Sequence, residues 1–248
     1  MQILNRASSP ANVFFFEGMH EIPPSMPAWK RAGDILCAML ALPLLAAAAL
    51  AMTLITFLVS PGPVFFRQQR VGRGGRLFSV FKFRTMRVGA DTTVHQDHFR
   101  RLVATKAPML KLDAQRDARL IPGGRLLRAS GMDELPQLIN ILRGEMSLVG
   151  PRPCIPSEFE QTTSAQRERV RAVPGLTGLW QISGKNRTTF EEMIRLDIHY
   201  AHHVSALGDL RIILLTPFAL LVQVREICQR RRFSAAGPGL RAPGSLAA

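Results

Sequence analysis

Asp133 and Glu134 stand side by side in RLLRASGMDELPQL, residues 125–138, within a chain whose lysines and arginines outnumber its acids by 32 to 18. Carboxylates are competent nucleophiles toward phosphorus, giving an aspartyl phosphate ester. Asp133 precedes Pro136 by three residues, a spacing that suits an N-cap with proline tolerated in the first turn. The plainer reading is that the acid only caps a helix. The chemical reading is that a carboxylate at a positive helix end, just after Arg125 and Arg128, stays ionised where phosphates also bind. Glu134 would point about 100° away on a helix, so it could hold a metal or handle a proton without duplicating Asp133.

SLVGPRP, residues 147–153, follows closely. Its two prolines fix the backbone on either side of Arg152, and a preorganised guanidinium is a good bidentate phosphate ligand. Alone the string reads as a rigid turn with an exposed arginine; its place soon after the acidic pair favours the phosphate role. PGLTGLWQISGKNRTTF, residues 174–190, has glycines at 175, 178 and 184 that permit close backbone approach. Trp180 within it could stack a base or anchor among head groups, and suits an ordinary core position equally well. His199, His202 and His203 in HYAHH have helical spacing, but no HExxH or cysteine cluster accompanies them, and surface histidines are the expectation.

The elements that must position these groups follow from periodicity. DELPQLINILRGEM reads as an amphipathic helix with Leu135, Leu138, Ile139 and Leu142 on one face. VFFRQQRVGRGGRLFSVFKFRTM reads as a hairpin, two aromatic and β-branched runs parted by a glycine-rich turn at Gly72–Gly75. Its arginines suit a solvated face beside anionic lipid. Residues 91–120 are polar and helical in pattern. Residues 207–227 are apolar but interrupted by Arg211 and Pro217, which suits a helix lying in a membrane interface.

The 25 residues from Ile35 to Val59 carry no charge. As a helix they would run about 37 Å against a hydrocarbon core of about 30 Å, which makes them membrane material and too long for a signal peptide core. Lys30 and Arg31 precede the run, while Arg67, Arg70, Arg73, Arg76, Lys82, Arg84 and Arg87 follow it. Both flanks therefore favour the cytoplasm. A straight span cannot satisfy that, but a helix bent at Pro43 that dips in and returns can. From the residues alone the two forms stay open, because carbonyls freed by a bend need partners within lipid. The formal charge of +14 favours polyanionic partners. Three scattered cysteines exclude a disulfide framework and fit a reducing compartment.

Taken in order, KRAGDI, GPVFFRQQRVG, FSVFKFRTM, MDELPQLINILRGEMSLVGPRP and PGLTGLWQISGKN resemble the bacterial sugar transferase family, the monotopic polyprenyl-phosphate phosphoglycosyl transferases. The resemblance runs from about Lys30 to about Glu226. It implies an α+β, mainly helical membrane-associated domain with a re-entrant helix broken at a proline, a small β-hairpin and interfacial amphipathic helices. The chain then divides into a variable lead-in (1–29), the re-entrant membrane helix (30–62), a cytoplasmic phosphoglycosyl transferase domain (63–230) and a disordered tail (231–248). The implied reaction moves a hexose-1-phosphate from a UDP-sugar to undecaprenyl phosphate, releasing UMP, with Mg2+, at the cytoplasmic face of the bacterial inner membrane.

By the same resemblance Asp133 corresponds to the nucleophile, which also contacts the metal, and Glu134 to its dyad partner. Arg128 and Arg152 correspond to phosphate-binding arginines. Trp180, Lys185 and Asn186 are candidates for nucleotide-sugar contact, and GKNRTTFEEM resembles the exopolysaccharide branch that uses UDP-galactose or UDP-glucose. Gly131, Ile121 and Leu42 depart from residues common in the family. Membrane lipid is an implied partner, nucleic acid is not, and self-association is undecided. The rival from another class is a non-catalytic polybasic protein binding anionic lipid; it has no use for DELPQL or GPRP.

Overall fold

Nothing charged interrupts the first apolar run, and it forms most of a helix, α1 (Ala28–Val59), of 32 residues, about 48 Å long. The computed structural model describes residues 25–90, 101–105, 107–109, 117, 119–184 and 187–235, the last ten by backbone only. Helix α1 passes through Pro43 without a break in its helical backbone, where the family resemblance implies one and the residues alone leave both forms open. One stripe of it, Ala38, Leu45, Ala48, Met52 and Thr56, is buried against the rest of the chain. The other faces carry Leu36, Leu40, Leu44, Leu50, Leu54 and Phe57 to the surface, Leu50 at 75% exposure. So much exposed leucine on so long a helix is composition for lipid rather than water.

The glycine-rich turn and flanking aromatics produce the expected hairpin. Strands β1 (Phe65–Val71) and β2 (Leu77–Phe83) pair antiparallel from Phe65↔Phe83 to Val71↔Leu77. Gly74 and Gly75, at φ 65° and 76°, supply the left-handed turn. Of the polar segment 91–120 only part is described, and there residues 101–104 are helical.

Helices α2 (Gly124–Ser130) and α3 (Gln137–Leu142) flank a 3-10 turn at Met132–Glu134. The amphipathic face read from the sequence packs as expected. Leu138 and Ile141 are buried with Phe78, Val80, Phe83, Ala38 and Met52, while Leu135, Ile139 and Leu142 lie at the edge of that core. A feature the sequence does not announce follows: β3 (Ser147–Val149) pairs in parallel with β4 (Gly175–Thr177). Short helices α4 (Pro156–Glu160) and α5 (Ser164–Arg167) lie between these strands in sequence, and α6 (Leu179–Ile182) follows β4. Helix α7 (Phe190–His202) starts on a Thr189–Glu192 capping box. Helix α8 (Ala206–Ala235) closes the described chain and carries Pro217 inside it.

The first turns of α1 give Lys30 and Arg31 partners that the charge pattern does not announce. Arg31 donates to the carbonyls of Ile141 and Leu142, capping the end of α3. Lys30 is 5% exposed; it donates to the Val149 carbonyl at 2.9 Å and pairs with Asp209 of α8. Asp34 accepts from the Ser147 hydroxyl and the Leu148 N–H at 3.0 and 2.9 Å. At the other end, Arg84 holds the Ser60 hydroxyl and carbonyl and the Pro63 carbonyl. Both ends of α1 are therefore tied to one body.

Candidate active site

Asp133 sits in the 3-10 turn rather than at a helix N-cap. Helix α3 begins only at Gln137, and no side chain caps it, because Leu135 and Pro136 already follow the turn in helical backbone. Gly131 reaches the turn at φ 74°, a left-handed conformation that a serine would adopt only under strain. The departure at Gly131 thus has a local reason. The result is an aspartate only 6% exposed, next to Met132 at 41% and close in sequence to Leu126 at 58%.

Glu134 accepts from Lys82 of β2 at 2.9 Å, both side chains being about a quarter exposed. Asn140 fixes the same elements from within. Its amide donates to the Ser79 carbonyl at 2.7 Å and its oxygen accepts from the Phe81 N–H at 3.1 Å, satisfying the open edge of β2. Asn140 also donates to Glu145 at 2.7 Å. Arg128 stands in the last turn of α2, half-buried.

The segment around Arg152 is bonded at almost every backbone position. The Val149 carbonyl meets Lys30 at 2.9 Å and the Tyr200 hydroxyl at 3.0 Å. Gly150 donates to Thr177, and Pro151 accepts from Gly175, each at 2.9 Å. The Arg152 N–H donates to Asp197 at 3.3 Å, its carbonyl accepts from Arg169 at 2.9 Å, and the Pro153 carbonyl accepts from Arg70 at 3.0 Å. The close approach expected at Gly175 and Gly178 is present: a Cβ on either would lie 2.0 and 2.2 Å from backbone atoms of Gly150. Gly184 instead serves a turn, at φ 101°.

Beneath this segment lies a charge cluster that motif reading missed. Arg152 donates to Glu158 at 2.9 Å, and Arg169 pairs with Asp197, three of the four being almost wholly buried. Burial alone would raise the Glu158 carboxyl, but Arg152 and then Arg70 hold it below the usual carboxylate range. Burial likewise works against the Arg152 guanidinium and is outweighed by Glu158, so its pKa stands above the ordinary value. Arg70, on β1, is brought down to about 10 by burial and by its neighbour Arg152, against the pull of Glu158 and Glu134. Burial pushes Asp197 up to about 6 despite Arg169. Arg70 therefore feels the charges of both the Asp133–Glu134 turn and the Arg152 loop. With Lys82 on its other strand, the hairpin holds one cation toward each.

Trp180 is 5% exposed and packs with Phe190, Met193 and Ile194, the core position that the sequence left open. Lys185 and Asn186 lie outside the described residues. His199 and His203 stack at 4.4 Å on the surface, and His202 faces Glu168 at 3.5 Å. Among the described residues no group of three or more His, Cys, Asp or Glu side chains could hold a metal. Mg2+ asks for less, one or two carboxylates completed by a substrate's phosphates. Asp133, an oxygen donor next to Glu134 in a cationic setting, meets that requirement.

Of the missed residues, Lys82 carried a faint signal: in LFSVFKF it falls between two buried phenylalanines, so it points away from them. Glu158, Arg169, Asp197 and Asn140 carried none, since their partners come from other elements.

A family model described as bacterial sugar transferase matches residues 25–223. The chain is 45% identical over 156 residues to the galactosyl transferase CpsE of Streptococcus agalactiae, covering 62% of this chain and 34% of that protein. It is 38% identical over 216 residues to the exopolysaccharide production protein ExoY of Rhizobium meliloti, covering 85% and 92%. It is 34% identical over 194 residues to the undecaprenyl-phosphate galactose phosphotransferase of Salmonella typhimurium, covering 77% and 40%. The chain thus spans nearly all of ExoY and only about a third of CpsE.

Proposed function

Because the chain belongs to the bacterial sugar transferase family, we propose that it transfers a hexose-1-phosphate from UDP-galactose or UDP-glucose to undecaprenyl phosphate and releases UMP. This would be the first membrane step of exopolysaccharide or related glycan synthesis. The observation that carries the reading is Asp133: a shielded carboxylate in a turn entered through a left-handed glycine, flanked by exposed Met132 and by a glutamate that Lys82 holds in place.

The reaction proceeds in two displacements. An Asp133 oxygen attacks the phosphorus that bears the sugar; the bond from that phosphorus to the bridging oxygen breaks, and UMP leaves with that oxygen. An oxygen of the polyprenyl phosphate then attacks the same phosphorus, breaking its bond to Asp133 and restoring the carboxylate. Glu134, oriented by Lys82, handles protons or supports the metal beside Asp133. Arg128 and Arg152 hold phosphate oxygens. Lys185 and Asn186 contact the nucleotide sugar, whereas Trp180, buried with Phe190, Met193 and Ile194, belongs to the core. Mg2+ bound at Asp133 would offset charge on the donor's phosphates.

The membrane geometry follows the same logic. The ties of Lys30 and Arg31 at one end of α1, and of Arg84 to Ser60 at the other, support a helix that enters and leaves on the side of the catalytic body. Its bend would centre on Pro43, where the helix stays continuous but the missing N–H removes one of its hydrogen bonds. Helix α8, with Leu207, Leu214 and Phe218 exposed, lies in the same interface, and the body faces the cytoplasm.

The test is UMP release by detergent-purified protein with Mg2+ and undecaprenyl phosphate, UDP-galactose and UDP-glucose being tried separately. Release that needs the lipid acceptor is expected with at least one donor, and Asp133→Asn should abolish it without loss of folding. Full turnover by D133N would sink the assignment of the nucleophile. A wide donor panel without release, alongside intact binding to anionic vesicles, would favour the polybasic binding protein.

A further inference from the structure

The cluster under Arg152 contains more than an ordinary ion pair needs. Glu158 is 1% exposed, and one of its oxygens, Oε2, takes both the Arg152 guanidinium at 2.9 Å and the Ile155 N–H at 3.3 Å. Its other oxygen, Oε1, is buried with no hydrogen-bond partner in the structure. On the cationic side, Arg70 keeps a buried Nε and Arg169 a buried Nη1 that are likewise unbonded. Arg70, Arg152 and Arg169 bring three positive charges to two carboxylates, Glu158 and Asp197. A buried cluster with one surplus cation and unspent donors is built to receive an anion.

Arg152 is the member with a way out. Its side chain is 22% exposed while that of Glu158 is 1%. Its backbone is held by Asp197 and Arg169, so the guanidinium can be moved only by rotating the side chain, and Glu158 restrains that rotation at one nitrogen. A guanidinium has five donors in a rigid fork; fixing one edge on a buried carboxylate aims the remainder.

We infer that Glu158 is the positioning residue for Arg152, clamping one edge of its guanidinium so that the opposite edge meets a phosphate of the nucleotide-sugar donor. The inference rests on the proposed transferase reading. Glu158 touches no reacting atom and acts through Arg152, while Arg70 and Arg169 keep it ionised and fixed.

The experiment is a double-mutant cycle on detergent-purified full chain, reading KM for the UDP-sugar and kcat for UMP release. Turnover by the unaltered protein is the control for the transferase reading, so loss of that reading and loss of this inference are distinguishable. Glu158→Gln should raise KM about tenfold, the scale of one charge-assisted hydrogen bond, with kcat within about threefold. Combined with Arg152→Ala, it should add less than about twofold to the effect of R152A alone, because both changes remove one device. Glu158→Asp, which keeps the charge but withdraws it by one methylene, gives a second route if E158Q does not fold. It should also raise KM and also be non-additive with R152A. An unchanged KM in the folded variants, or effects that multiply with R152A, would overturn the inference and leave Glu158 a structural residue.

Discussion

Gly150→Ala is the substitution whose outcome the geometry sets most tightly. A Cβ on Gly150 would lie 2.2 Å from the Val173 carbonyl oxygen, 2.7 Å from the Gly175 nitrogen and 2.9 Å from the Pro174 carbonyl carbon. All three are backbone atoms and cannot rotate away. Reaching an ordinary contact of 3.4 Å would require β3 and β4 to part by about 1.2 Å. The Gly150–Thr177 and Gly175–Pro151 hydrogen bonds, both 2.9 Å, would then be lost. Overpacking costs about 1–3 kcal/mol and each hydrogen bond about 0.5–1.5 kcal/mol, so the total is about 2–6 kcal/mol. For a chain of this size that lowers the melting temperature by about 4–24 °C. UMP release should fall as well, since Arg152 lies two residues on. The assay is thermal unfolding in detergent, with Gly33→Ala as the control: nothing lies within 4 Å of a Cβ there, in mid-helix. That alanine should leave stability unchanged or raise it by up to about 1 kcal/mol. If G150A melts within about 1 °C of the unaltered protein, the close approach of the two strands is wrong.

Asn140→Ala should destabilise by about 2–4 kcal/mol, because it strands the Ser79 carbonyl and the Phe81 N–H at a buried edge; denaturation that matches the parent would refute this. Lys82→Met should lower UMP release about 10- to 100-fold while the melting temperature barely moves, since it removes the Lys82 tie to Glu134 at a partly exposed site. Asp197 gives a pH signature. Its folded pKa of about 6 exceeds the ordinary value near 4, so the folded chain binds the proton more readily. Its contribution is complete below about pH 4 and is lost as pH rises through 6, about 2–3 kcal/mol in all. Stability measured from pH 4 to 6 should decline more steeply in the parent than in Asp197→Asn, and parallel curves would contradict the burial of that carboxyl.

How far the sequence reaches can be judged residue by residue. The hairpin was legible because its signals are local: aromatic alternation on both sides of a run of glycines. The apolar face of α3 was legible for the same reason, as were the rigidity around Arg152 and the glycine approaches at 175 and 178. What escaped is non-local. The Lys82–Glu134 pair spans 52 residues and the Arg70–Pro153 bond 83, and no spacing rule reaches that far. Strands β3 and β4 are too short, at three residues each, to display a period. The N-cap reading of Asp133 failed because a left-handed glycine and a 3-10 turn intervene before α3 begins. Lys30 and Arg31 read from the sequence only as charges flanking an apolar run, because the carbonyls they serve come from 110 to 119 residues away.

Those ties set a timetable for the chain's own synthesis. Lys30 waits for a partner 179 residues later and Asp34 for one 113 later. At about 5–20 residues per second, the ribosome needs about 9–36 s to deliver the first and about 6–23 s to deliver the second. Until then Lys30 and Asp34 lack the partners that hold them in the folded chain, and charged side chains in the opening turns of α1 oppose burial of those turns in hydrocarbon. Only when β3 and α8 emerge do Asp34 and Lys30 gain those partners. The opening turns of the first helix are thus completed among the last parts of the fold, although they are among the first to be made.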